Sequence, residues 1–138
     1  MKSPVGMLVL LTSLCSCASA QTPSSRLDHD AFASALERYG SLGPEASSYS
    51  LALSGNALAA AIETQALLDS LGYQRLGNAK FEVVSSSKTT ATACMDLSEV
   101  VIINEAGFPI STVSSREAVF VELEKGLISR FEPLGERC

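Results

Sequence analysis

Four cysteines, one histidine, three tyrosines and an aspartate beside a cysteine are the side chains whose types and spacing could carry chemistry. A thiolate nucleophile needs a base or a positive neighbour, and a metal needs converging ligands at short spacing. Neither pattern is present: no C-x-x-C occurs, and His29 stands far in sequence from Cys94 and Cys138. His29 lies between Asp28 and Asp30 at an expected helix start, where exposure rather than catalysis is its reading. Asp96 follows Cys94 by two residues, on the same face of an expected strand. It could serve as a general base in a pocket, or it could tie down loop backbone at the strand's end. The second role is favoured. Tyr39 and Tyr73 are pocket residues on the first view, with Tyr49 as a further candidate, and packing explains all three without a ligand. No catalytic residue, metal site or cofactor follows from this set, and no G-x-G-x-x-G or phosphate loop occurs.

The fate of the cysteines depends on the first twenty residues. Lys2 precedes an uncharged apolar stretch, Val5-Gly6-Met7-Leu8-Val9-Leu10-Leu11 and on to Leu14, and Ala18-Ser19-Ala20 supplies a small-x-small cleavage pattern. That stretch falls short of the ~20 residues that span a bilayer. Residues 1–20 are therefore expected to be a signal peptide, with two possible cuts. Leu14-Cys15-Ser16-Cys17 resembles a lipobox, and cleavage before Cys17 with lipidation of that thiol is favoured. The other cut, after Ala20, leaves a soluble protein starting at Gln21. On either reading two thiols remain, Cys94 and Cys138, which pair in an oxidising compartment. The expected location is the outer face of the cytoplasmic membrane as a lipoprotein, or the medium. Membrane contact is expected only through the lipid on Cys17.

Charge narrows the partners. The 138-residue chain carries ten basic and fifteen acidic residues, and losing Lys2 with the leader makes it one unit more negative than its formal −5. Nucleic acid and anionic membranes need clustered positive charge, and no run of Lys or Arg exists. An envelope protein or a small apolar ligand is the partner class left.

Residues 21–26 read as a polar tether and 27–138 as one α+β domain. Phe32, Ala35, Leu36 and Tyr39 recur at helical spacing on a helix from Leu27 to Tyr39, with Asp28 as its cap. Residues 45–53 are a short helix or an ordered loop. Ser54 opens a second helix to Leu71, with Ala57, Ala60, Ala61, Thr64, Leu67, Leu68 and Leu71 as an apolar stripe that Leu58 and Ile62 widen. Core packing is favoured for that stripe over a pocket wall. Strands follow: 81–85, 89–95, 100–103, and a hairpin of 118–123 and 127–131 about Glu124-Lys125-Gly126. Helices first and antiparallel strands later predict N-terminal helices packed on a curved antiparallel sheet of about four to five strands, with one disulfide.

Four segments carry a resemblance: Ser54-Gly55-Asn56-Ala57-Leu58, Thr92-Ala93-Cys94-Met95-Asp96-Leu97-Ser98, Glu105-Ala106-Gly107-Phe108-Pro109 and Gly135-Glu136-Arg137-Cys138. Over roughly residues 30–138 the chain resembles small exported actinobacterial lipoproteins and secreted proteins, which look like members of the nuclear transport factor 2-like superfamily. The resemblance implies a cone of helices against a curved sheet. It does not imply an activity, because that superfamily holds enzymes, binding domains and adaptors alike. The expected role is a non-catalytic binding or accessory domain of the cell envelope. The alternative is a small isomerase- or hydrolase-like enzyme using Asp96 in a cone pocket.

Overall fold

The computed structural model describes residues 22–43, 45–112 and 116–138. The expected signal peptide and Cys17 lie outside them. Helix α1 runs Pro23–Gly40, a 3-10 helix spans Ala46–Leu51, and α2 spans Gly55–Ser70. Seven strands follow: β1 Gln74–Leu76, β2 Lys80–Ser86, β3 Thr90–Asp96, β4 Val101–Ile103, β5 Pro109–Thr112, β6 Arg116–Glu124 and β7 Leu127–Arg137. The class is α+β, with a four-stranded antiparallel sheet ordered β2-β3-β6-β7 and a three-stranded one ordered β1-β4-β5.

Helix α1 starts earlier than its apolar spacing indicates. Thr22, not Asp28, is the N-cap, its hydroxyl accepting from the Ser25 backbone amide, and Pro23 occupies the first turn. Proline fits there because its missing N–H would have no helical partner. The stretch expected to be a tether therefore becomes, from Thr22 onward, the cap and first turn of a helix. The inward face is as the spacing indicates: Phe32, Ala35 and Leu36 are buried, and Tyr39 packs against the core from a half-buried position.

Both helices lie on the larger sheet, α1 chiefly over β2 and α2 over β7. Between them sits the core, where Phe32, Leu36 and Leu53 meet Ala91, Val119, Val121 and Ile128 from the strands. Alternation along β3 sends Ala91 and Ala93 inward, while Thr90 and Thr92 occupy the opposite pleat. The β6–β7 hairpin turns on Lys125 and Gly126, with φ of 52° and 79°. Positive φ at both central residues matches the right-handed twist of the flanking strands. Strand β7 continues through Pro133 and Gly135, well past the expected end at Phe131. It is an edge strand, so a proline without an amide costs it no ladder bond on the open side.

Cys94 and Cys138 are bonded, with their Cα atoms 5.8 Å apart. Cys94 pairs in register with Ala118 of β6, and the Cys138 amide donates to the Arg116 carbonyl at 3.4 Å. The bond thus crosses central β6 and ties the last residue to β3.

Three features of the sheets differ from expectation. Strand β1 is only three residues long, and β5 opens on a proline, so neither carries a legible alternation. They pair with β4 to make a second sheet beside the expected one. Among the described residues no helix is long and apolar enough to cross a membrane.

Candidate functional site

A cavity of about 190 Å³ lies where α2, the 3-10 helix, β1 and β7 come together. One wall is α2, which presents Ala57, Ala60, Ala61, Thr64 and Leu68. Alanines make this wall: their short side chains keep the helix from filling the space in front of it. Tyr39 of α1 and Phe131 of β7 stand opposite, their ring centroids 5.4 Å apart in edge-to-face contact. Phe81 completes a three-ring cluster, 5.9 Å from Tyr39 and 6.0 Å from Phe131. Both contacts to Phe131 are edge-to-face and the Tyr39–Phe81 pair is tilted, and aromatic rings favour the edge-to-face arrangement.

The floor is polar. Tyr49 donates its hydroxyl proton to Gln65 Oε1 at 3.0 Å, and Gln65 Nε2 donates to Asp69 at 2.8 Å. Both Tyr49 and Gln65 are buried, at 4% and 5% exposure, so their mutual bond offsets the cost of taking them out of water. Gln65 is the position that the apolar stripe misses. Of the stripe only Ala57 is fully buried, and Gln65 is the other buried residue of α2. Leu67 and Leu71, expected in the core, are 59% and 53% exposed, and Ile62 is 44% exposed. Part of the stripe is therefore a cavity wall rather than core. Polar residues of α2 fall on two sides, Asn56, Glu63 and Ser70 on one and Gln65 and Asp69 on another, so spacing gives it only a weak direction.

Among the described residues, Arg75 is the one charged residue of the lining. It sits in the middle of β1, paired with Ile102 of β4, and it is half-buried between exposed Gln74 and Leu76. Burial pushes the Tyr39 hydroxyl above its usual pKa, and the nearby Arg75 charge opposes that rise in part. Tyr39 therefore stays a neutral phenol at physiological pH and can donate a hydrogen bond into the cavity.

Of the four pocket candidates Asp96, Tyr39, Tyr49 and Tyr73, the structure brings Tyr39 and Tyr49 to the cavity. Asp96 takes the favoured role of tying down loop backbone at the end of β3, and it does not line the cavity as its pocket reading would require. Its carboxylate accepts from the Ser98 amide at 2.9 Å and lies 3.9 Å from the Arg116 guanidinium. The bond from Ser98, aided by the charges of Arg116 and Lys80, lowers its pKa. A general base working near neutrality needs the opposite shift. Tyr73 is likewise corrected: it follows the end of α2, where its amide donates to the Leu68 carbonyl at 2.9 Å, and it does not border the cavity. His29 lies on α1 with its Nδ1 3.6 Å from Asp30, far along the helix from Tyr39. Among the described residues no three His, Cys, Asp or Glu side chains converge.

Tyr49, a pocket candidate from its residue type, does line the cavity, whereas Gln65 and Arg75 are not among the candidates. Gln65 meets Tyr49 across sixteen residues of chain, and Arg75 gains its place only by the pairing of β1 with β4. No local signal marks either. Comparison with family models, with curated proteins and with solved structures finds no match.

Proposed function

We propose that this chain is an exported envelope domain that binds a small, largely apolar molecule in the α2–β7 cavity, without catalysing a reaction. The cavity carries the reading: alanine, leucine and aromatic side chains surround a few fixed polar groups, which is the usual make-up of a small-molecule site. Its volume is below the ~300–1,000 Å³ of sites for drug-sized ligands. It is closer to the ~150 Å³ engineered apolar cavity that accepts benzene. A concave space of this size suits a small molecule better than a partner protein's surface. Among the described residues no cysteine, histidine or carboxylate lines it.

Membership of the nuclear transport factor 2-like superfamily is part of this proposal. It draws support from helices followed by an antiparallel sheet with the cavity between them. Export draws support from the Cys94–Cys138 bond, since such bonds persist in oxidising compartments. Intact mass of protein recovered from its native envelope tests it: the expected chain starts at lipidated Cys17 or at Gln21, and one starting at Met1 contradicts export.

The cavity is tested with 1-hexanol. The chain has no tryptophan and three tyrosines, and Tyr39 and Tyr49 line the cavity, so intrinsic tyrosine fluorescence reports on it directly. A saturable fluorescence change is expected with the unaltered protein. Ala61→Phe, which fills the space from the α2 wall, should abolish it while leaving the far-ultraviolet dichroism unchanged. Unaltered hexanol affinity in the folded Ala61→Phe variant would move binding elsewhere.

A further inference from the structure

We infer that the cavity selects a small monoanion with an apolar tail, a short-chain or single-ring carboxylate, whose head pairs with Arg75. This rests on the cavity-binding reading above and specifies the ligand class. Three observations carry it.

The first is an uncompensated cation. Among the described residues Arg75 is the lining's sole charged group, and it has neither a carboxylate within 4.0 Å nor a side-chain hydrogen-bond partner. Acidic residues outnumber basic ones in this chain by fifteen to ten. Asp69, near the same end of α2, is engaged by Gln65 at 2.8 Å. A half-buried guanidinium beside an apolar space presents several N–H donors in a planar fork, which matches a carboxylate in two parallel hydrogen bonds.

The second is placement. Register pairing with Ile102 holds Arg75 in a strand rather than on a loose loop, and Leu76, next to it, is 43% exposed on the opposite pleat. The backbone position from which the guanidinium reaches the cavity is thus set before a ligand arrives. The third is the division of the lining. Tyr39, neutral and within reach of the Arg75 charge, adds a second donor on the polar side. Ala57, Ala60, Ala61 and Leu68 supply apolar lining on α2 for the tail. The Tyr49 hydroxyl and Gln65 amide are already satisfied by each other and by Asp69, so they do not compete for the head group.

The test titrates the disulfide-intact mature chain by calorimetry with hexanoate, 1-hexanol and hexylammonium at pH 7. These share a six-carbon tail and differ in head-group charge. Hexanoate should bind at least tenfold more tightly than hexanol, and hexylammonium more weakly than either. Arg75→Gln should remove the hexanoate advantage and leave hexanol affinity within about twofold, which also reports that the variant has kept its cavity. Equal affinities for hexanoate and hexanol in the unaltered protein would overturn anion selection while leaving the cavity reading intact. Retention of the hexanoate advantage in Arg75→Gln would overturn the role of Arg75. Failure of all three probes to bind would overturn both readings.

Discussion

Replacing Cys138 with serine should cost the folded domain about 2–5 kcal/mol. The bond closes a loop with a sequence separation of 44 residues. The chain-entropy relation assigns such a loop about 4 kcal/mol of unfolded-state restriction. The native side adds to this. Strand β7 is the sheet's edge, and its residues from Glu132 onward are exposed. An exposed terminal edge frays unless something holds it. Here the holding group reaches across β6 to Cys94, which is 3% exposed, so the serine variant also leaves a buried thiol beside a loosened strand. For a domain of this length the loss corresponds to a fall in Tm of roughly 10–20 °C. Thermal unfolding with and without reductant measures it, and the reduced native protein should melt with the Cys138→Ser variant. Equal melting of reduced and oxidised protein would show that the bond contributes nothing.

The second large effect lies in the core. Leu36→Ala should cost about 2–5 kcal/mol, because the side chain is fully buried and its removal leaves space that α1 cannot close. Leu67→Ala is the matched control. Apolar spacing assigns Leu67 to the core as readily as Leu36, yet it is 59% exposed on α2. Exposed substitutions of this kind stay within about 0.5 kcal/mol. Urea unfolding of both variants separates the two positions, and a large loss for Leu67→Ala would mean that α2 is rotated from its described orientation.

The contrast between those two leucines shows what was legible in the residues and what was not. On α1, charged and polar positions separate Phe32, Ala35, Leu36 and Tyr39, so periodicity points one way and the buried face follows. Helix α2 offers no such contrast. Its polar residues fall on two sides, and in the fold Gln65 is buried against Tyr49 together with Ala57. That is a tertiary choice between two polar groups, invisible to spacing. Strands β2, β3, β6 and the start of β7 were legible from β-branched runs and the Lys125-Gly126 turn. Strands β1 and β5 were not, since three or four residues are too few for alternation, and with β1 went Arg75. Asp96 shows how its two readings separate: the backbone-bonding role is met and the pocket role is not. A carboxylate near a cysteine draws notice in the sequence, whereas in the fold its neighbours are Ser98, Arg116 and solvent.

The cavity's use for a small ligand is the centre of this account, and nuclear Overhauser contacts test it most directly. Methyl-labelled protein saturated with 1-hexanol should show intermolecular contacts from the ligand chain to the Ala57, Ala61 and Leu68 methyls, with the Tyr39 and Phe131 rings shifting together. Contacts confined to the exposed Leu67 and Leu71 methyls, or none at saturating hexanol, would contradict it.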